Sequence, residues 1–116
     1  RVAWGRISEK ELAEAGAAPE DVEGLVEVLR SIEGVEVAML FKEVHDRATK
    51  VSLRSIQPVD VQSFAARFGG GGHRDASGIY LEEPLDGAVR RIVAAAVETF
   101  GESRTEPTRR GDGGQA

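Results

Sequence analysis

The sequence predicts an α/β (α+β) domain, a small mixed β-sheet of four to five strands flanked by helices. Three observations predict it. Apolar and polar residues alternate in two adjacent runs, residues 35–42 and 49–57, as in strands with one well-buried face. Apolar residues recur at helical spacing in two other runs, 22–32 and 89–100. Gly34, Pro58, Pro84 and Gly101 punctuate these segments. The order strand–helix–helix–strand–strand–helix–loop–strand–helix is that of a sheet covered by helices.

Each element has a local reason. Residues 1–7 read as a short strand, with Val2 and Trp4 on one face and Ala3 and Ile7 on the other. Ser8 offers an N-cap and Glu11 completes a capping box, so a short helix runs to about Ala15 and stops at Gly16. Pro19 suits the first position of a second helix, and Glu20, Asp21 and Glu23 favour its positive end. Its apolar stripe is Val22, Leu25, Val26, Leu29 and Ile32, and Gly34 ends it. His45-Asp46-Arg47-Ala48 turns the two central strands into an antiparallel hairpin. In the second of these strands Val51 and Leu53 face one way, and Lys50, Ser52 and Arg54 the other. Asp60 caps a helix with the stripe Val61, Phe64, Ala65 and Phe68. After a glycine run comes a strand over 76–83, expected to pair parallel to 49–57 with the intervening helix as a right-handed crossover. The last helix carries Val89, Ile92, Val93, Ala96, Val97 and Phe100.

The 116 residues suit one domain, assigned to 1–100, with a disordered polar tail over 101–116. The chain begins at Arg1 directly in a strand-like run, so it reads as a piece of a longer protein. It has no cysteine, which excludes disulfides and thiolate metal sites and makes a cytoplasmic location the expectation. No stretch of 18 apolar residues occurs, so no membrane span is expected. The net charge of −5 argues against non-specific binding of long nucleic acid. Between His45 and Tyr80, however, five Lys/Arg accompany three acids, so the positive charge gathers in the half that holds the glycines.

That half contains Gly69-Gly70-Gly71-Gly72-His73-Arg74-Asp75-Ala76-Ser77-Gly78. Bare backbone N–H groups beside cationic side chains suit an anion, a phosphate above all. The order of elements excludes a Walker loop and a dinucleotide fingerprint, because both follow a strand and open a helix. Only His45 and His73 are available as imidazole ligands, far apart and without clustered carboxylates, so no metal centre is expected in these residues. No serine stands in a nucleophile elbow. Recognition of an anion is what remains, with His73 and the planar fork of Arg54 as the leading side chains. Arg74 and Ser77 are secondary candidates.

Gly70-Gly71-Gly72-His73-Arg74-Asp75-Ala76-Ser77-Gly78 resembles the Gly-Gly-Gly-His signature of the DHH-associated domain, the C-terminal half of many DHH-family phosphoesterases. Lys50-Val51-Ser52-Leu53-Arg54-Ser55 resembles the strand motif of the NrnA-type oligoribonucleases that also act as pAp (3′-phosphoadenosine-5′-phosphate) phosphatases. The resemblance implies a division of labour. An N-terminal DHH domain of the same chain holds manganese and hydrolyses, while the associated domain grips phosphate and sugar of a short RNA or nucleotide. Carried over, the gripping residues are Arg54, Ser55, Gly70, Gly71, Gly72 and His73, and no cofactor belongs to these residues themselves. Related domains imply alternatives: a nucleic-acid-binding module like those of RecJ-like single-strand exonucleases or alanyl-tRNA synthetases, or a cyclic-dinucleotide phosphodiesterase. A homodimer interface built from the helices is the remaining reading.

Overall fold

The structure, a computed structural model, describes residues 1–101 and 103–105. Strands β1 (Val2–Ile7), β2 (Val37–His45), β3 (Ala48–Ser55), β4 (Gly71–His73), β5 (Ala76–Leu81) and β6 (Ser103–Thr105) form one mixed sheet in the order β4-β5-β3-β2-β1-β6. Helices α1 (Glu9–Ala15) and α2 (Pro19–Ser31) link β1 to β2, which pair parallel. β2 and β3 form the expected hairpin. Helix α3 (Val61–Ala66) follows β3, and α4 (Leu85–Phe100) follows β5. The capping box of α1 is present, with Ser8 Oγ accepting from the Glu11 amide at 3.0 Å and Gly16 closing the helix at φ +63°.

The alternation of side chains gives the sheet two unequal faces. Val2, Met39, Phe41, Val51, Leu53 and Ile79 point to one face and are buried under α3 and α4, with Phe64, Ile92 and Ala96 opposite them. A ring cluster closes that core, where Phe64 meets Phe68 and Phe100 at 5.1 and 5.3 Å. On the other face Ala3, Ala38 and Leu40 pack against Val22 and Val26 of α2.

Three expectations change. β5 pairs antiparallel to β3, not parallel. The glycine run is not all loop: its end forms β4, which turns back at Arg74-Asp75 into β5. That hairpin adds one reversal, so the strand delivered by α3 parallel to β3 is β4, and β5 slots between them. The stripe of α2 is also only partly used: Val22 and Val26 are buried, whereas Leu25 and Ile32 are each 44% exposed. Of the segment expected to be disordered, Ser103–Thr105 pairs with β1, and 102 and 106–116 lie outside the described residues. No helix among the described residues is long and apolar enough to cross a membrane.

Candidate functional site

The four glycines do different things. Gly69 sits at φ +81°, a conformation that L side chains rarely adopt. A Cβ on Gly70 would collide with the Gly78 carbonyl oxygen. On Gly72, at φ +143°, it would lie 2.6 Å from the Ala76 oxygen and 2.7 Å from Ser77 Cα. These two approach β5 so closely that only glycine fits. Gly71 differs: a Cβ there would meet nothing within 4 Å, and the residue is exposed. The fold has no use of its own for its missing side chain.

The loop is pinned. Gly70 N–H donates to Ala65 O at 2.9 Å, and Gln62 Nε2 donates to Gly72 O at 2.6 Å. Ser77 Oγ donates to His73 O at 2.7 Å across the hairpin. Ser55 is fully buried, and its hydroxyl lies 2.7 Å from Val59 O and 3.2 Å from Arg74 O. Ser55 and Ser77 thus stand on the core side, with their hydroxyls on backbone carbonyls of the loop. They hold the loop's shape and do not converge with the exposed candidates. Arg74 turns toward the start of α3, pairing with Asp60 at 3.5 Å and donating to Pro58 O at 3.3 Å.

The pairing register brings the other two candidates together. His73 is opposite Ala76, and Ala76 is opposite Arg54, so all three share the face away from α3 and α4. The next row on that face is Gly71, Gly78 and Ser52. Small residues therefore make a shallow floor across β4, β5 and β3, with His73 and Arg54 at opposite sides of it, two strand spacings or about 10 Å apart. β4 is a sheet edge, so backbone groups on its outer side have no strand partner.

Arg54 is held in place. Its Nε donates to Glu27 at 3.1 Å, one Nη to Leu53 O at 2.9 Å, and the other Nη pairs with Glu23. Both carboxylates come from one flank of α2, and the Arg54 side chain is only 17% exposed. A guanidinium has five N–H donors, so these three bonds leave two for a ligand. Among the described residues no group of three or more His, Asp or Glu side chains gathers as a metal site.

The Asp60 carboxyl lies below its ordinary range. The Ser63 hydroxyl, bonded to Oδ2 at 2.8 Å, is the main cause, with the Ser63 and Gln62 amides and the Arg74 charge adding to it. Residues that the sequence motif alone did not single out also belong to the open face. Lys50 is opposite Tyr80 there, and Ser52 lies between Leu40 and Gly78. The alternation that places Arg54 places Lys50 and Ser52 beside it; Tyr80 needed the pairing of β5 with β3.

The chain matches the DHHA1 domain over residues 5–102. It is 36% identical over 95 residues to the bifunctional oligoribonuclease and PAP phosphatase NrnA of Thermus thermophilus, covering 81% of this chain and 29% of that one. An exopolyphosphatase-related protein of Bacteroides fragilis superposes with a TM-score of 0.75 at 28% identity, covering 85% of this chain and 29% of that one. The C-Ala domain of Aquifex aeolicus alanyl-tRNA synthetase shares the fold, with a TM-score of 0.65 at 16% identity over 87% of this chain and 91% of that one. The chain spans less than a third of the first two relatives, and it belongs to the DHHA1 domain family.

Proposed function

We propose that this chain is the substrate-gripping domain of an NrnA-like, DHH-family phosphoesterase that degrades short oligoribonucleotides, pAp or both. The observation that carries this reading is the shared face of His73 and Arg54, set across a floor of Ala76, Gly71 and Gly78. His73 and the floor left bare by Gly71 take a phosphate; the two remaining donors of Arg54 take a second oxygen of the same nucleotide. Ser55 and Ser77 support this from behind by fixing the loop, and Arg74 adds positive charge at its tip. A rigid clamp of this kind lowers the entropic cost of presenting a scissile bond. Because the contacts go to phosphate and sugar, sequence preference is weak.

Hydrolysis belongs, in this proposal, to an N-terminal DHH domain of the same protein with bound manganese, which would polarise the phosphoryl group and activate water. The residues described here supply binding and orientation only. The test is an NMR titration of the 116-residue chain with pAp and with a 5′-phosphorylated dinucleotide, following the His73 imidazole. Saturable shifts are expected with both, and His73→Ala weakens both by about 10-fold or more, the worth of a charge-assisted contact. Hydrolysis of either ligand by the metal-free chain would sink the assignment, as would unshifted His73 resonances at saturating ligand.

A further inference from the structure

A cleft of about 290 Å³ opens on the same sheet face, where the start of α2 overhangs β2 and β3. Lys42, Lys50 and Ser52 line it from the sheet, and Pro19, Glu20 and Glu23 from the helix. Lys42 and Lys50 are directly opposite each other on β2 and β3. Like charges in that position destabilise a sheet. Neither lysine forms an ion pair among the described residues, although Glu20 and Glu23 line the same cleft, and Glu23 is engaged by Arg54. Ser52 is only 9% exposed, yet its hydroxyl has no partner among the described residues. A buried hydroxyl left unbonded carries a cost that a ligand would relieve. Tyr80, opposite Lys50 on β5, keeps its ring 54% exposed on this face.

We propose that Lys42, Lys50 and Ser52 form a second anion subsite that takes the next phosphate of a substrate longer than one nucleotide, with Tyr80 stacking its base. This rests on the reading of the His73 loop as the first subsite. Lys50 lies four residues from Arg54 along one strand, roughly 13 Å away. One nucleotide does not span that distance with both its ends gripped; a dinucleotide does. Paired cations with an exposed ring are the arrangement that holds short single strands. The floor between the subsites is Gly78 and Ser52, so the chain of the substrate can lie flat on the sheet.

The test compares a 5′-phosphorylated dinucleotide with the corresponding nucleoside monophosphate, both titrated into the 116-residue chain. The double variant Lys42→Gln/Lys50→Gln is expected to lose roughly 10-fold in dinucleotide affinity, with mononucleotide affinity unchanged. Its Tm holds or rises, since the like-charge pair is gone, and this separates lost binding from lost folding. Tyr80→Ala is expected to weaken the dinucleotide by about 5- to 10-fold, and Tyr80→Phe to restore it. Equal losses for both ligands, no loss for either, or equal affinity of the unaltered chain for both would overturn the subsite. His73→Ala separates the two readings. If it leaves both ligands unaffected while the lysine variant still discriminates, the loop reading fails and the second subsite stands.

Discussion

The two faces of the sheet are built to opposite rules. Under α3 and α4 the inward positions of the central strands are buried and mostly apolar, from Met39 and Phe41 through Val51 and Leu53 to Ile79, with Thr49, Ser55 and Ser77 the buried polar ones. On the other face the apolar packing of α2 is confined to Ala3, Ala38 and Leu40, on β1 and β2. Beyond them it reaches β3 with carboxylates, through the Arg54 ion pairs. Farther out, the face holds Ser52, in the cleft that the start of α2 overhangs, and then Gly78, Gly71 and His73, which belong to neither apolar cluster. Adjacent residues of one strand therefore serve different ends: Leu53 holds the fold, and Ser52 and Arg54 face the opening. Stability and binding should then break separately.

The largest expected effect is on the closed face. Leu53→Ala removes a fully buried side chain and should cost about 2–5 kcal/mol in denaturant unfolding. Its neighbour Ser52→Ala should hold or slightly raise stability, because the buried hydroxyl gives up no bond. If Ser52→Ala unfolds the chain as readily as Leu53→Ala does, the division between the faces is wrong.

The glycine run offers the same contrast within three residues. Gly72→Ala forces a Cβ against Ala76 O and Ser77 Cα, which should cost about 1–3 kcal/mol. Gly71→Ala meets open space and leaves the thermal midpoint nearly unchanged. Its effect falls on ligand instead: a methyl group on the floor weakens pAp binding in a titration. A Gly71→Ala chain that binds as before would show that no ligand approaches this backbone.

A smaller effect tests Arg54. Arg54→Lys keeps the charge but loses the fork that spans Glu23 and Glu27 and still leaves two donors. Affinity for pAp should fall several-fold, with the unfolding midpoint moving little because both carboxylates are at the surface. An unchanged affinity would reduce Arg54 to a tie between β3 and α2.

How far the sequence carries follows from where it has side chains to read. The capping box at Ser8 and Glu11, the Asp60 cap and the hairpin of β2 and β3 are local patterns, and all appear; of the α4 stripe, Val89, Ile92 and Ala96 are buried and Val93, Val97 and Phe100 only partly. The shared face of Arg54, Ser52 and Lys50 was legible from alternation alone. The direction of β5 was not, because Gly69 to Gly72 carry no side-chain period to announce β4 and its turn. Nor was the pairing of β1 with β2, which depends on contacts across the length of two helices. Leu25 and Ile32 show the complementary limit: the periodicity of α2 marks its apolar stripe but not how wide a strip of sheet lies beneath it. The glycines were read as room for a ligand, and for Gly70 and Gly72 the close approach is to the chain's own strand.

The smallest predicted effect asks which face Arg74 serves. Its charge acts on Asp60 at the start of α3, on the closed side of the loop. The Asp60 carboxyl is held below its ordinary range chiefly by Ser63, then by the two amides, and least by Arg74. A carboxyl with a lowered folded-state pKa contributes stability that is fully present above its unfolded value. That stability is lost as pH falls through the folded value. Asp60→Asn keeps the cap and removes the titration, so the thermal midpoints of the two proteins should separate above the ordinary carboxylate range and converge below it. In an NMR titration, Ser63→Ala should raise the Asp60 midpoint more than Arg74→Gln does, following the order of causes. If Arg74 belongs to this closed side, Arg74→Gln shifts that midpoint and leaves pAp affinity nearly unchanged. If the variant instead weakens pAp as much as His73→Ala does, Arg74 is part of the open floor, and the loop grips with Arg74 as well as His73.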